Sequence, residues 1–426
     1  MFVPEYKSSI ETPQTSKGLS SGAKIIVISQ FYGADQSSVG QFLADFANGA
    51  AEAGHHVCVI CGATGYAAPE VAAPGAMQRR NSETVAEQAS GGGTIRVIRV
   101  RTAAFSQSKP KKLLSYATFF AGAAWRALWV SKPDVVLTLT APPGLAWIGW
   151  LVKQIRGCRH VSWEMDVYPD IAVALDIPVA SWTSQVLDFP RRRANAVIAL
   201  GPCMKARLLE HRIAEDRIIV AENWADGRAI APLPFPDPRP LRILYSGNFG
   251  LAHEVVTIRA VMERLANSPD FRFIFAGGGL TRRELIDFCR EREIKNVLFP
   301  GYVPLRDLGR SQAEGHIGLV TQKPSTVGAV VPSKIYGLMA AGRPVLFIGP
   351  AAATPALIIE RFNCGWYFEC GDKDGVLGLL LSLIEHPEEI RQKRQNGRAA
   401  FIDRYDKFAG VARVIDALGL KTQNAS

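Results

Sequence analysis

The sequence lacks long apolar runs, disulfide-type cysteine spacing and an export signal. No charge-free apolar run reaches the roughly 20 residues that a membrane-spanning helix needs. The seven cysteines are scattered over 426 residues without disulfide or zinc spacing. Cys58 and Cys61 lie within the apolar run 57–61, where a buried strand is favoured over a redox pair because nothing nearby would activate a thiolate. Residues 1–21 are polar and contain no signal core. These absences predict a reduced, cytoplasmic protein.

The composition is that of a globular α/β protein. Hydrophobic residues make up 48% of the chain and charged residues 21%, which excludes disordered, collagen-like and coiled-coil proteins. Residues 24–29 predict a strand, residues 42–50 a helix that ends at Gly54, and residues 55–60 a second strand. This order is typical of a parallel sheet. Further buried strands of the same sheet are expected at 134–140, 160–165 and 196–201.

A proline-rich segment, residues 231–240, separates two halves of the pattern. Five of its ten residues are proline, a stiff linker composition, and the strand and helix pattern restarts after it. We therefore expect two doubly wound parallel-sheet domains facing across a cleft, with the ligand at the carboxyl ends of the strands. The expected divisions are a flexible N-terminal tail (1–22), a first domain (23–228), a linker (229–240), a second domain (241–400) and a C-terminal helix and tail (401–426). The sequence assigns no role to the polar insertion 62–94.

The net charge is +10, and one long stretch contains no acid. Between Glu87 and Asp134 the charged residues are Arg96, Arg99, Arg101, Lys109, Lys111, Lys112, Arg126 and Lys132. Aromatic residues are interleaved with them, and a basic helix with an aromatic face suits an anionic membrane surface. A core helix with a charged outer face is the alternative. Nucleic acid is not favoured as a partner, because no recognition motif accompanies the charge.

Three loops of the second half suit an anionic ligand. Residues 246–250 follow a strand and precede a helix, so a ligand could approach their backbone N–H groups closely. Residues 277–279 are glycines after the next strand, with arginines at 282–283. Ser333 and Lys334 open another helix, where a lysine opposes the helix dipole unless an anion is bound. The loops indicate a diphosphate site; tight turns and solvated arginines are the alternatives.

Three carboxylates follow a predicted strand of the first half. Glu164, Asp166 and Asp170 could orient a hydroxyl group or accept its proton. Capping and surface acids are the alternative, because Asp170 also resembles a helix N-cap. The pair Glu164 and Asp166 alone is a poor magnesium site, so no metal is expected.

Seven short segments form a series along the chain. In the second half they are YSGNFGLAHE, FAGGGLTRRE, GYVP, VVPSKIYGLMAAGRPVLFIGP and NCGWYFECGD, and in the first half WEMDVYPD and ENWAD. Their order and spacing resemble family 4 glycosyltransferases, in particular the bacterial subgroup that builds surface polysaccharides. The resemblance runs from about Lys24 to Leu418. It implies a GT-B fold of two Rossmann-like domains, and a retaining, metal-independent transfer of a sugar from a nucleotide-sugar.

The resemblance also implies roles for individual residues. Asp166 would lie near the reacting sugar, and Arg283 and Lys334 would neutralise the departing diphosphate. The implied donor-binding residues are Gly247, Asn248, Phe249, Gly250, Arg282, Val303, Ser333, Tyr336 and Gly337. The expected acceptor-side residues are Gly33, Gly40, Glu164 and Asp170. No cofactor other than the nucleotide-sugar is implied.

Some positions depart from the family pattern. Many relatives have two glutamates eight residues apart, where this chain has Ala329 and Gly337, and Asn248 replaces an arginine of the first glycine turn. The contacts to the phosphate and the ribose are therefore expected from other residues. The candidates are Arg282 or Arg283 for the phosphate and Ser333 or Tyr336 for the ribose.

These patterns predict a cytoplasmic glycosyltransferase on the inner face of the cell membrane. It would use a UDP- or GDP-type donor and a lipid-diphosphate-linked or saccharide acceptor in the synthesis of exopolysaccharide, O-antigen or capsule. The expected partners also include an anionic membrane surface and exclude nucleic acid. A sugar-nucleotide epimerase of the same fold, or a nucleotide-sugar-binding subunit without turnover, are the alternatives.

Overall fold

The computed structural model describes residues 22–33, 38–63, 85–103 and 108–420. The chain divides into two compact units. Unit 1 contains the described residues up to Ala172, then Pro178–Glu222 and the residues from Gly410 onward. Unit 2 contains Val173–Ile177 and Asn223–Ala409. Each unit has its own, mostly parallel sheet, so the prediction of two parallel-sheet α/β domains is confirmed.

The sheet of unit 1 has eight strands. They are β1 (Lys24–Ile28), β2 (His56–Gly62), β3 (Val85–Gln88), β4 (Thr94–Val100), β5 (Val135–Leu139), β6 (Arg159–Trp163), β7 (Ala196–Ala199) and β8 (Ile218–Val220). Their spatial order is β3-β4-β2-β1-β5-β6-β7-β8. All neighbours are parallel except β3 and β4. Strands β5 and β7 are buried along their whole length, as expected for parallel strands that helices cover on both faces.

Six α-helices lie among the described residues before Glu222. They are α1 (Ser38–Glu52), α2 (Lys109–Trp129), α3 (Ala146–Arg156), α4 (Asp170–Ala174), α5 (Thr183–Arg192) and α6 (Pro202–Glu210). In α1 the apolar side chains recur at helical spacing, so Leu43, Phe46 and Ala50 are buried on one face. The Phe46 ring lies edge-on to Trp163 at 6.0 Å between centroids, which joins α1 to the end of β6.

Unit 2 is built on a six-stranded parallel sheet. Its strands are β9 (Leu241–Ser246), β10 (Phe271–Ala276), β11 (Val297–Leu298), β12 (Ile317–Thr321), β13 (Val345–Ile348) and β14 (Gly365–Phe368), in the spatial order β11-β10-β9-β12-β13-β14. Its helices are α7 (Val256–Arg264), α8 (Arg282–Glu291), α9 (Leu308–Ala313), α10 (Lys334–Ala340), α11 (Thr354–Phe362), α12 (Lys373–Glu385) and α13 (Pro387–Ala400). A π-helical turn, Phe401–Tyr405, and α14 (Lys407–Ala417) follow.

The last helix, α14, packs mainly with unit 1. A Cβ atom on Gly49 of α1 would lie 2.6 Å from Cγ1 of Val411, so the missing side chain lets the two helices approach closely. Nε of Arg413 lies 3.7 Å from Oε2 of the buried Glu222. The residues from Gly410 are therefore part of unit 1, although they follow unit 2 in the sequence.

The change between units after Glu222 differs from the predicted boundary in the proline-rich segment. Residues 231–240 belong to unit 2. Nη2 of the buried Arg343 donates hydrogen bonds to the carbonyl oxygens of Leu233 and Pro234, at 3.1 and 3.2 Å. The prolines are therefore held against unit 2, where the composition had indicated a linker.

Two sequence predictions fall largely on residues that the structure does not describe. All but Gly22 of the expected tail (1–22), and residues 64–84 of the insertion 62–94, lie outside the described residues. The end of that insertion contributes β3 and the turn into β4. The acid-free stretch divides between a strand and a helix, because Arg96 and Arg99 lie on β4 and α2 begins only at Lys109. None of the described helices has the length and apolarity needed to cross a membrane.

Candidate functional site

The three glycine and lysine loops of unit 2 contact one another. They follow β9, follow β10 and open α10, so the parallel order of the sheet brings their starting points to one edge. The amide of Phe249 donates to the Gly278 carbonyl at 2.7 Å, and Nζ of Lys334 donates to the Asn248 carbonyl at 3.3 Å. The sequence had indicated these loops one by one, and the structure places them in direct contact.

Glycine is required at the contacts between these loops. Gly247 and Gly277 have φ angles of +129° and +121°, which side chains rarely adopt. A Cβ atom on Gly277 would lie 2.1 Å from the Gly247 carbonyl oxygen, and one on Gly247 would lie 2.7 Å from Cε of Lys334. The glycines therefore let two loops and the lysine stem pack at backbone distance.

Lys334 is the cation at the centre of this arrangement. Its side chain is half-buried, and its Nζ lies 3.1 Å from Nε2 of His253 and 4.9 Å from the ring centroid of Tyr245. No carboxylate pairs with it among the described residues. Burial lowers the pKa of Lys334 to about 8, so most of the ammonium stays charged at neutral pH. A half-buried cation without a counter-charge is suited to an anion.

Three predicted donor residues are used within the protein. Phe249 is buried, its ring centroid lies 4.2 Å from that of Tyr245, and its carbonyl accepts from Oγ1 of Thr281 at 3.2 Å. Nη2 of Arg282 donates to the Phe299 carbonyl at 2.7 Å, which turns this guanidinium towards β11. Tyr336 is fully buried and packs against Tyr405 at 5.1 Å between centroids. The prediction that the Tyr336 side chain contacts the ribose is therefore corrected.

The other predicted donor residues lie around the loops with varied exposure. Arg283 is 92% exposed and reaches a side-chain partner only at 4.0 Å, in Asp287 one turn later. Val303 is half-buried, beside an exposed Tyr302. Ser333 immediately precedes α10 and makes no side-chain capping bond. Gly250 is half-buried in the first turn.

Ala329 and Gly337, which stand where many relatives have glutamates, are buried. Ala329 is 1% exposed, and Gly337 lies inside α10. A Cβ atom on Gly337 would lie 2.8 Å from Nε2 of Gln312, so the amide of Gln312 takes up the space that a side chain at 337 would need.

In unit 1, Asp166 follows β6 and carries a carboxylate with no hydrogen-bond or ion-pair partner among the described residues. Its backbone is fixed, because the amides of Met165 and Asp166 both donate to Oγ1 of Thr140, at 3.2 and 3.3 Å. Burial, and then the charge of Glu164, raise the pKa of Asp166 to about 6. A carboxylate with such a pKa can accept a proton near neutral pH.

The neighbouring carboxylates belong to a buried ion-pair network. Oε1 of Glu164 accepts from Oγ of Ser162 at 2.6 Å, and its Oε2 lies 3.1 Å from Nη2 of Arg191. Arg191 also pairs with Asp188 at 3.1 Å. Glu164 is fully buried in this network, so its predicted place on the acceptor side is corrected to a structural one: it raises the pKa of Asp166 from within the protein.

Asp170, the first residue of α4, joins the same network through His211. Nε2 of His211 lies 2.8 Å from Oδ2 of Asp170, and Nδ1 lies 2.7 Å from Oδ2 of Asp188. The hydrogen bonds to Asp170 and Asp188 raise the pKa of His211 to about 9. Although burial acts in the opposite direction, the bond and charge of His211 lower the pKa of Asp170. The imidazolium therefore links two carboxylates that lie far apart in the sequence.

The two predicted acceptor-side glycines lie at the ends of one loop. The amide of Gly33, which has a φ of +109°, donates to the Gly40 carbonyl at 3.2 Å. Gly40 is buried in the first turn of α1. The residues between them, 34–37, lie outside the described part of the chain.

The acid-free stretch forms an open groove between β4 and α2. The groove has a volume of about 460 Å³ and is lined by Arg99, Val100, Arg101, Gly122, Trp125 and Arg126. A Cβ atom on Gly122 would lie 2.1 Å from Cγ1 of Val100, so this glycine lets the helix approach the strand. Trp125 and Trp129 are 62% and 72% exposed. The opposite face of the same helix packs in the core through Phe119, Ala123 and Ala127, so α2 is a core helix that also exposes two tryptophans.

Comparison with known proteins shows which class of enzyme the chain resembles. Residues 38–224 match the family described as a glycosyl transferase 4-like domain. The chain is a glycosyltransferase. This glycosyltransferase is 24% identical over 413 residues to the probable glycosyltransferase WbjE of Pseudomonas aeruginosa, covering 92% of this chain and 96% of the relative. It is 25% identical over 369 residues to the putative colanic acid biosynthesis glycosyl transferase WcaI of Escherichia coli strain K12, covering 80% and 86%.

Solved structures with low sequence identity share the GT-B fold. Sucrose-phosphate synthase of Thermosynechococcus elongatus superimposes with a TM-score of 0.71 at 16% identity, covering 92% of this chain and 98% of that structure. HepE of Anabaena, solved with UDP-glucose, gives a TM-score of 0.66 at 13% identity, covering 93% and 99%. The expected GT-B fold is thereby confirmed.

Several residues of the candidate site were not anticipated from the sequence. Tyr302 donates through its hydroxyl to Oδ1 of Asn248 at 3.3 Å, and its ring occupies the space beside Gly278. His253 contacts Lys334, and Arg191 and His211 hold the carboxylates of unit 1. For His253, the one local signal in the sequence was its position, three residues after Gly250 in the same loop.

Proposed function

We propose that this glycosyltransferase moves a sugar, with retained anomeric configuration and without a metal ion, from a UDP- or GDP-type nucleotide-sugar to a lipid-diphosphate-linked glycan. The product would belong to a bacterial surface polysaccharide. The observation that carries the donor half of the proposal is the ammonium of Lys334, which has no counter-charge among the described residues and lies beside two glycine-rich loops. The similarity to WcaI, a putative colanic acid biosynthesis enzyme, supports the polysaccharide half.

In this proposal Lys334 and Arg283 act on the leaving group. As the bond between the sugar and the diphosphate breaks, negative charge develops on the diphosphate oxygens, and a cation placed there in advance stabilises the transition state. Lys334 would supply a fixed charge, since its stem is packed against Gly247. Arg283 would supply a mobile one, since it is 92% exposed. The backbone from Gly247 to Gly250 would face the phosphates, and Ser333 and Val303 would contact the nucleoside.

Asp166 would act on the acceptor. Its carboxylate is free of internal partners among the described residues, and its pKa of about 6 keeps it largely deprotonated at neutral pH. It could therefore accept a hydrogen bond from the acceptor hydroxyl and take its proton as the new bond forms. The network of Arg191, Glu164 and Asp188 would hold the loop in place.

A thermal-shift screen with UDP, GDP, dTDP and ADP, each with and without EDTA, tests the donor assignment. A nucleotide at 100 times its dissociation constant should stabilise the folded state by about 2.7 kcal/mol. One nucleotide that stabilises equally with EDTA supports a metal-independent donor site and identifies its base. If no nucleotide stabilises the protein at millimolar concentration, the donor site is wrong.

Turnover and stereochemistry need a second experiment. The protein is incubated with the matching nucleotide-sugars and a polyprenyl-diphosphate sugar, and the product is analysed by NMR. Retention predicts the same anomeric configuration in the product as in the donor. An inverted product contradicts the retaining mechanism, and recovery of an epimerised nucleotide-sugar without transfer would favour the epimerase alternative.

The groove between β4 and α2 is the proposed contact with the inner face of the membrane. Arginines 99, 101 and 126 face it together with the exposed Trp125, a combination that suits anionic headgroups and the interfacial layer. A double variant, Arg101→Gln with Arg126→Gln, should bind phosphatidylglycerol vesicles about 30-fold more weakly than the wild type, at about 1 kcal/mol per arginine. The matched control changes two exposed arginines of unit 2, Arg290 and Arg306, to Gln. Equal losses in both double variants would contradict the groove as the membrane contact.

A further inference from the structure

The immediate surroundings of Lys334 assign a specific role to His253. Nζ of Lys334 has three N–H donors. One is directed to the Asn248 carbonyl at 3.3 Å and one to Nε2 of His253 at 3.1 Å. The third has no acceptor among the described residues. With two donors held inside the protein, the remaining donor is the one that an incoming ligand oxygen can use.

The tautomer of His253 follows from its second hydrogen bond. Its Nδ1 lies 3.0 Å from the carbonyl oxygen of Thr321, at the end of β12. A carbonyl oxygen can only accept, so Nδ1 carries the proton and Nε2 is left with a lone pair that faces the ammonium. Protonation of Nε2 would place two cations against each other. Burial, and then the charge of Lys334, accordingly lower the pKa of His253 to about 3.

The groups that face this pair come from several elements. Tyr245 of β9 places its ring centroid 5.5 Å from that of His253 and 4.9 Å from Nζ of Lys334. Lys323, beyond β12, adds a second positive charge that acts on His253. Within the described part of the chain, the Asn248 carbonyl is the one oxygen at hydrogen-bond distance from the ammonium, so the imidazole is its second internal acceptor.

We propose that His253 is a positioning residue for the donor diphosphate: it accepts one N–H of Lys334 and thereby directs a free N–H towards the phosphate oxygens. This inference rests on the proposed function, because it takes Lys334 as the phosphate contact. The hydrogen bonds that run from the Thr321 carbonyl through the imidazole to the ammonium fix the direction in which the free N–H of Lys334 points. His253 itself does not touch the substrate.

Two substitutions separate positioning from packing. His253→Phe keeps a ring against Tyr245 and removes both nitrogens, whereas His253→Gln keeps an acceptor on a chain of similar reach. The first readout uses the free protein: the rate of acetylation of Lys334 by acetic anhydride is followed against pH by mass spectrometry. Its midpoint is expected near the pKa of about 8 in the wild type. Loss of an acceptor disfavours the charged form, so the midpoint should fall by about half a unit to one unit in His253→Phe and less in His253→Gln.

The second readout is the dissociation constant of the nucleoside diphosphate that the thermal-shift screen identifies. We expect His253→Phe to raise this constant about tenfold, as for one hydrogen bond to a charged group, and His253→Gln to raise it no more than about threefold. Unfolding midpoints are compared in parallel. Equal losses in both variants, with an unchanged acetylation midpoint, would assign His253 a packing role and overturn the proposal.

A third variant keeps the two proposals distinguishable. Lys334→Met is measured beside the histidine variants. If Lys334→Met leaves the affinity unchanged, or if the wild type binds no nucleotide, the donor assignment fails, while the acetylation midpoint still reports the contact between His253 and Lys334. If Lys334→Met loses affinity and both His253 variants match the wild type in affinity and midpoint, the positioning role alone is wrong.

Discussion

The candidate donor and acceptor sides solve opposite electrostatic problems. In unit 2, the acceptors that the described residues offer to the ammonium of Lys334 are neutral, namely an imidazole and a carbonyl oxygen. In unit 1, carboxylates and cations are paired within the protein: Arg191 contacts two acids, and His211 contacts two. The first arrangement leaves a charge for a ligand to neutralise. In the second, the charges neutralise one another and stabilise the local structure.

The difference indicates what each side needs for catalysis. A leaving diphosphate brings its own negative charge, so the protein must keep a cation unpaired until the ligand binds. An acceptor hydroxyl is neutral and needs an accurately placed base, so the surrounding charges must be fixed. Asp166 is the exception in unit 1, because its carboxylate lacks a partner among the described residues and its pKa is raised to about 6. The predictions below test this division.

The largest expected effect is on the stability of unit 1. Arg191→Met removes a guanidinium whose side chain is only 3% exposed and leaves Glu164 and Asp188 without their shared partner. Breaking a buried ion pair by removing one member typically costs about 3–5 kcal/mol. Urea unfolding followed by circular dichroism should therefore give a large loss of unfolding free energy. A loss below about 1 kcal/mol would mean that the network is solvated and does not order the loop.

Lys334→Met should lower turnover and leave stability nearly unchanged, whereas Arg191→Met is expected mainly to lower stability. The substitution removes a half-buried charge, which cost desolvation, and keeps an apolar stem against Gly247, so stability should be unchanged or slightly higher. The turnover number should fall by about 100- to 1,000-fold, since a preorganised group that stabilises developing charge is worth that much. Lys373→Met, at an exposed lysine of α12, is the control. Reduced stability with normal turnover would place Lys334 among the structural charges of unit 2.

The pH dependence of kcat/KM should contain one group from each side. Asp166 must be deprotonated to accept a proton, so the rate rises through its pKa of about 6. Lys334 must be protonated to hold the diphosphate, so the rate falls through its pKa of about 8. The expected profile is a bell with its maximum near pH 7, in which Asp166→Asn lowers the plateau about 100-fold.

The same carboxyl group links activity to stability. The folded-state pKa of Asp166, about 6, lies above the ordinary value of 3.8. Deprotonation of this carboxyl group therefore lowers the free energy of unfolding as the pH rises from about 3.8 to about 6. At pH 7, Asp166→Asn should therefore raise the unfolding temperature while it lowers turnover. A variant that is both less stable and less active would contradict a partner-free carboxylate.

The sequence predicted most of the fold because parallel strands carry a local signal. Buried runs such as 24–29 and 241–247 contain apolar residues on both faces and become β1 and β9. The position of the loops after β9 and β10 at the carboxyl ends of their strands was also expected, whereas their direct contact became evident only from the strand order. The boundary after Glu222 did not follow, because composition alone does not tell a flexible proline segment from one that Arg343 holds in place.

The partners of the site residues were beyond local reasoning. Lys334 meets His253 across 81 positions of sequence, and His211 meets Asp188 across 23. No spacing rule connects such pairs, since they depend on which helices the sheet order brings together. The burial of Tyr336 was more accessible, because Ile335, Leu338 and Met339 mark the same helix as apolar on nearly every face.

The smallest predicted effects distinguish two adjacent arginines. Arg282 donates to the Phe299 carbonyl, whereas Arg283 is 92% exposed, so the helix that begins there directs one guanidinium inwards and the other to solvent. Arg282→Ala should cost about 1 kcal/mol of unfolding free energy with little effect on nucleotide affinity. Arg283→Ala should leave stability within about 0.5 kcal/mol and weaken diphosphate binding about fivefold, as expected for an exposed ionic contact of about 1 kcal/mol.

Because exposed pairs are screened by salt, that fivefold loss should shrink when affinities are measured at high ionic strength, while the stability loss in Arg282→Ala should persist. Affinity that depends on Arg282 and not on Arg283 would show that the donor draws this guanidinium away from Phe299, and would give the phosphate contact to the residue that the free protein holds inwards.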